Sequence, residues 1–112
     1  MVIKVKICGV DRKEAVEASV DAGATMIGLV FFARSPRFLS IVRANSITAN
    51  IPKSIEKVGL FVDPTNRELS EVIENVKVDT LQLHGNENPD RVKEIKAFTR
   101  LSIIKVIKVE TL

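Results

Sequence analysis

The chain has 112 residues, 46% hydrophobic and 28% charged, which suits one globular domain and excludes a sequence too polar to build a core. Its longest apolar run, residues 26–33, is too short and too internal for a membrane span or a signal-peptide core, so a cytoplasmic location and no membrane partner are expected. A net charge of +3 comes with no Trp, no Tyr and no basic run, which argues against nucleic acid and favours a mildly positive site for a phosphorylated or carboxylated small molecule.

The first predicted element is the strand Lys4-Val5-Lys6-Ile7-Cys8-Gly9, in which period-two alternation puts Lys4, Lys6 and Cys8 on one face. In a sheet covered by helices, Ile3, Val5 and Ile7 form the outward side, leaving the lysines and the thiol facing whatever the sheet encloses. Asp11 and Glu14 have capping-box spacing at the start of a helix whose small face is Ala15, Ala18, Ser19 and Ala22, closed by Gly23. The run Met26-Ile27-Gly28-Leu29-Val30-Phe31-Phe32 reads as a strand buried on both faces. After the loop Ala33-Arg34-Ser35-Pro36-Arg37-Phe38, Ser40 caps a helix expected over residues 41–50.

A third strand over residues 57–62 echoes the second, Asp63-Pro64 turns the chain, and Thr65 with Glu68 opens a helix with Leu69, Val72, Ile73 and Val76 on one face. The fourth strand lies in Asp79-Thr80-Leu81-Gln82-Leu83-His84-Gly85, and Asn88-Pro89 starts a helix packing through Val92, Ile95 and Phe98. A fifth strand is expected over residues 103–109.

Four strand–helix units and a fifth strand, spaced roughly 20 to 30 residues apart, are the pattern of parallel βαβ connections. An open doubly wound sheet and a (β/α)₈ barrel both use it. The barrel is favoured because no G-x-G-x-x-G follows the first strand, the repeat is regular, and polar residues gather at the C-terminal ends of different strands. Residues 1–112 are therefore expected to form a single domain, an incomplete barrel of about five strands and four helices lacking the C-terminal strands.

Three residues stand out as candidates. Cys8 ends the first strand on the face of Lys6, an ammonium that favours the thiolate needed in a base or nucleophile; the competing reading is a small buried hydrophobe. His84 ends the fourth strand on a face shared with Thr80 and Gln82, against the alternative of a structural histidine. Arg37 could clamp a carboxylate or phosphate with its planar fork, or simply be solvated, as is expected of Arg34. Asp11 and Asp63 need no role beyond a cap and a turn, and Gly28 and Gly59 none beyond tight packing. With a single cysteine and a single histidine, neither an internal disulfide nor a zinc site of the usual type is expected.

Taken together, Lys6-Ile7-Cys8-Gly9, Gly28-Leu29-Val30-Phe31-Phe32 leading to Ser35-Pro36-Arg37-Phe38, Val58-Gly59-Leu60-Phe61-Val62 and Leu81-Gln82-Leu83-His84-Gly85 closely resemble the phosphoribosylanthranilate isomerases of tryptophan biosynthesis. The resemblance runs in order over the whole chain. It implies a (β/α)₈ barrel that converts N-(5-phosphoribosyl)anthranilate to 1-(2-carboxyphenylamino)-1-deoxyribulose 5-phosphate by an Amadori rearrangement, without metal or organic cofactor. It implies Cys8 as the general base at C2 of the sugar, Arg37 on the anthranilate end, and His84 at the rim of the pocket; Lys6 joins them as a substrate-binding residue.

The resemblance also implies a general acid on a sixth strand and a phosphate site in later loops, both beyond the five strands read here, and Phe38 stands where the family commonly has Tyr. The chain is thus expected to be a truncated or split N-terminal part, inactive alone, with a second chain or copy as a possible partner to complete the barrel. A non-catalytic α/β anion-binding module and a dimerising half-barrel are the alternatives.

Overall fold

A computed structural model describes residues 4–107. Its order is β1 (Lys6–Ile7), α1 (Lys13–Asp21), β2 (Met26–Val30), α2 (Ile41–Thr48), β3 (Glu56–Phe61), α3 (Asn66–Asn75), β4 (Thr80–Leu83), α4 (Pro89–Thr99) and β5 (Ser102–Lys105). The end of the expected fifth strand, residues 108 and 109, and Ile3 on the expected outer face of the first lie outside the described residues.

All pairings are parallel and each strand lies beside the next in sequence, in the order β1-β2-β3-β4-β5. That order without reversal is how strands succeed one another around a barrel wall; a doubly wound sheet reverses at a switch point. The curvature is visible in one contact. Lys6 Nζ donates to Gln82 Oε1 across the intervening β2 and β3, which a flat sheet would not permit.

On the convex side, Ile27, Leu29, Phe61, Leu81 and Leu83 are essentially inaccessible and pack with Val16, Ile47, Leu69 and Ile95 from the four helices. Each such side chain contributes about 1.5–3 kcal/mol relative to exposure. This locks the register, since a one-residue slip would turn the whole set onto the concave face. The concave face carries a polar layer instead: Thr80 and Gln82 are buried there, and Thr80 Oγ1 donates to Glu56 Oε1 at 3.3 Å.

The helix starts follow the chain chemistry with one exception. Ser40, Thr65 and Asn88 each accept a hydrogen bond from the backbone N–H three residues on, at 3.1, 3.1 and 2.8 Å. Asp11 does not cap α1. The helix begins two residues later, Arg12 takes the N-cap position without a side-chain bond, and the Asp11 carboxylate stands 4.0 Å from Arg12 Nε. The buried face of α1 also differs from the expected small one: Val16 and Ser19 face the sheet, while Ala18 and Ala22 are exposed. Val16 offers more apolar area than any alanine, so it sets the rotation of the helix.

Phe98 is likewise corrected, being 48% exposed. Val92 and Ile95 reach the core but Phe98 does not, and among the described residues no element follows β5 that could cover it. β1 and β5 are the two edges of the sheet, and Ile7 and Ile104 on them, with Val5 just before β1, are exposed apolar side chains. The expectation of a covered outer face on the first strand therefore fails at Val5 and Ile7.

Candidate active site

Parallel strands release the chain on one side, and there the structure gathers three of the four candidates. A cleft of about 440 Å³ is lined by Cys8 and Gly9 after β1, Val30, Phe32, Ser35 and Arg37 from the end of β2 and its loop, Leu60 and Val62 of the third unit, and His84 after β4. Its floor is aliphatic and its rim is polar. A larger cleft of about 510 Å³ between the β2–α2 loop and α3 includes Arg34, Phe38 and Glu68, and none of Cys8, Arg37 or His84 lines it.

Cys8 is exposed, not packed as a hydrophobe. Its position depends on Gly28 in β2, where a Cβ would lie 3.0 Å from Cys8 Sγ and 3.1 Å from Cys8 Cα. The Gly28 carbonyl meanwhile accepts from the N–H groups of Gly9 and Val10 at 3.1 and 3.2 Å, so β1 is held down on the strand that a side chain would push away.

Arg37 reaches Cys8 by way of Gly9. Its Nη1 donates to the Gly9 carbonyl at 3.1 Å, and its own N–H donates to Ser35 Oγ at 3.1 Å, fixing both ends of the side chain. Gly9 has φ +73° and a Cβ there would lie 2.9 Å from Arg37 Cδ, so conformation and space both call for glycine. One guanidinium edge is thus spent on the backbone, and the remaining N–H groups stand at an exposed rim, suited to a carboxylate. Arg43 ties down the same loop, donating to the Asp11 carbonyl at 3.2 Å.

His84 is exposed, and its backbone N–H donates to the Phe61 carbonyl at 2.9 Å, extending the β3–β4 ladder by one step. Lys6 does not line this cleft. Its ammonium is engaged by Gln82 in the concave polar layer, below Cys8 on the same strand.

Sequence reading missed a second group at this rim. Glu87 is buried, with its side chain 1% exposed, and Oε1 accepts from Lys105 Nζ at 2.6 Å and from the Gly85 N–H at 2.9 Å, while Oε2 accepts from the Asp63 N–H at 2.8 Å. Burial works to raise its pKa, but the bond from Lys105 and those from the backbone outweigh it and hold the carboxyl below its ordinary value of 4.5. Asp63 is more than a turn former. It adopts φ +45° and its Oδ1 accepts from the Asn86 N–H at 2.9 Å, joining the β3–α3 and β4–α4 loops. The only signal in the sequence was a glutamate two residues after a strand-end glycine, which reads as a solvated loop residue.

Among the described residues no cluster of three or more His, Cys, Asp or Glu side chains is arranged to hold a metal, and no helix is long and apolar enough to cross a membrane.

Comparison with known proteins places this geometry. The family model described as N-(5'-phosphoribosyl)anthranilate (PRA) isomerase matches residues 5–111. N-(5'-phosphoribosyl)anthranilate isomerase of Parvibaculum lavamentivorans is 48% identical over 107 residues, covering 96% of this chain and 50% of that protein. The enzyme of the same name from Paracoccus denitrificans is 44% identical over 109 residues, covering 97% and 51%. Among solved structures, a phosphoribosyl anthranilate isomerase in complex with reduced 1-(o-carboxyphenylamino)-1-deoxyribulose 5-phosphate superposes with a TM-score of 0.89 at 32% identity, over 97% of this chain and 55% of the other. The isomerase from Thermotoga maritima gives 0.85 at 33%, over 93% and 50%. The chain spans about half the length of the relatives it matches.

Proposed function

The chain belongs to the N-(5'-phosphoribosyl)anthranilate isomerase family, whose solved members are TIM barrels, and from that premise we propose that residues 1–112 supply the base-bearing part of an isomerase site used in tryptophan biosynthesis. The observation that carries the reading is the convergence of Cys8, Arg37 and His84 on one cleft from three different strand ends.

In the proposed reaction, N-(5-phosphoribosyl)anthranilate opens its furanose ring. The anilinic nitrogen lone pair expels the ring oxygen from C1, a general acid protonates that oxygen, and a protonated Schiff base results. The iminium draws electrons from C2, and the Cys8 thiolate removes the C2 proton to leave an enolamine. Tautomerisation of that enol gives the 2-ketose product with no net change in oxidation state. Arg37 holds the anthranilate carboxylate through the guanidinium edge turned away from Gly9. His84 borders the substrate at the rim, and Lys6 acts from the concave layer beneath, as a positive charge on the side from which Cys8 emerges.

The general acid is assigned to a sixth strand and the phosphate site to later loops, within the part of the relatives' length that this chain does not span. The 112 residues alone are therefore proposed to turn over no substrate at a measurable rate, and a polypeptide supplying the rest of the barrel is proposed to restore turnover. The test is a fluorescence assay of N-(5-phosphoribosyl)anthranilate consumption by the pure chain, alone and co-expressed with the C-terminal half of a relative. Turnover in the complemented sample that disappears in Cys8→Ala supports the proposal. Turnover by the chain alone, or complemented turnover indifferent to Cys8→Ala, refutes it.

A further inference from the structure

The ion pair of Glu87 and Lys105 is not used by the chemistry proposed above, yet it stands next to it. A cavity of about 500 Å³ is lined by Asp63, His84, Gly85, Glu87 and Lys105, and His84 also lines the cleft of Cys8 and Arg37, so this residue borders both.

The bonds converge on one peptide. Glu87 Oε1 accepts from the Gly85 N–H, and Lys105 Nζ donates to the Gly85 carbonyl at 2.7 Å, so both polar groups of the residue after His84 are held by buried or half-buried charge. On its other side, His84 is held through its own N–H by Phe61. The second carboxylate oxygen of Glu87 takes the Asp63 N–H, holding a positive-φ backbone that non-glycine residues seldom adopt. Asp63 in turn accepts from Asn86.

A desolvated ion pair is often no better for stability than well-packed apolar side chains of the same volume, and what it adds is directional bonding. Here two of the bonds are directed at the N–H and carbonyl of Gly85, next to His84, and a third at the Asp63 N–H of the neighbouring loop.

We infer that Glu87 and Lys105 are positioning residues, which clamp the peptide following His84 and so hold the imidazole against the Cys8 cleft. The inference rests on the site reading given above. It ties β5 to the cleft as well: β5 contributes Lys105 and no lining residue there, yet governs the aim of the histidine.

His84 is the only histidine, so its ring gives one set of imidazole signals in ¹⁵N-labelled 112-residue protein. Lys105→Met is expected to shift those signals in the folded protein and to speed amide exchange at Gly85 and Asp63 by about tenfold or more, with Lys105→Arg restoring both. A purely structural pair would lower the denaturation midpoint and leave the folded-state signals of His84 where they are, which would overturn the inference.

Acid titration of the unmodified chain gives the same decision without relying on a variant that folds. The groups facing Glu87 are Lys105, Asp63 and His84. Movement of the His84 ring signals together with the Gly85 and Asp63 amides, as pH falls below the ordinary glutamate value, reports the clamp opening. Independent titration of the three sets overturns the inference.

Calorimetry with reduced 1-(o-carboxyphenylamino)-1-deoxyribulose 5-phosphate separates this inference from the functional reading. If the parent binds, Lys105→Met should bind about tenfold more weakly, and equal affinity overturns the clamp. If the parent does not bind, that result counts against the functional reading alone, and the two spectroscopic results decide the clamp.

Discussion

Gly28→Ala tests how the thiol is placed. The added methyl would sit 3.0 Å from Cys8 Sγ and 3.1 Å from Cys8 Cα, where ordinary contacts begin at 3.4 Å. Rotating the cysteine relieves the first clash and not the second, because Cα is backbone. β1 must then retreat by a few tenths of an ångström while the Gly9 and Val10 N–H groups remain bonded to the Gly28 carbonyl, at 3.1 and 3.2 Å.

Forced overpacking of this kind costs about 1–3 kcal/mol, a large share of the roughly 5–15 kcal/mol that holds a domain folded. With a urea slope of about 2 kcal/mol per molar, the midpoint should fall by about 0.5–1.5 M. Gly59→Ala is the internal comparison. Its methyl meets Phe61 Cε2 at 3.1 Å and Val78 Cγ1 at 3.4 Å, both side-chain atoms, so relief does not require a neighbouring strand to retreat and its cost should be smaller. Alkylation of Cys8 by iodoacetamide should slow in Gly28→Ala and not in Gly59→Ala. Equal midpoints for Gly28→Ala and the parent, or a larger loss in Gly59→Ala, would refute the argument that Gly28 exists to let β1 approach.

Three further outcomes are expected. Arg37→Ala should leave the unfolding free energy within about 1 kcal/mol of the parent, since it gives up a single partly exposed bond to the Gly9 carbonyl, and should abolish calorimetric binding of the reduced product analogue. The same analogue should protect Cys8, the one thiol, from iodoacetamide, with alkylation followed by intact mass; undiminished labelling at saturation would place the ligand elsewhere. Because the folded-state pKa of Glu87 is depressed, its contribution to stability is complete above about 4.5 and is lost as pH falls below that through the folded value. Urea midpoints measured from pH 6 to pH 3 should fall more steeply in the parent than in a Glu87→Gln chain, and parallel curves would show that the carboxylate is not responsible.

Local chemistry alone determined much of this protein. Continuous apolar runs such as Met26-Ile27-Gly28-Leu29-Val30, punctuated by Ser40, Thr65 and Asn88 at helix starts, specify the strand–helix repeat, because capping and burial periodicity act within a few residues. Cys8, Arg37 and His84 could be picked out because a polar residue at the end of a parallel strand has one rim to project from.

Tertiary structure alone decided the rest. Capping-box spacing at Asp11 did not reveal that α1 starts at Lys13, and helical spacing did not reveal that Phe98 stays exposed, since both depend on what packs alongside. The buried carboxylate of Glu87 is the clearest case. A charged loop residue is ordinarily solvated, and this one becomes a buried acceptor because folding brings Lys105 and the Asp63 N–H, from two distant stretches of chain, to join the local Gly85 N–H within hydrogen-bonding distance of it.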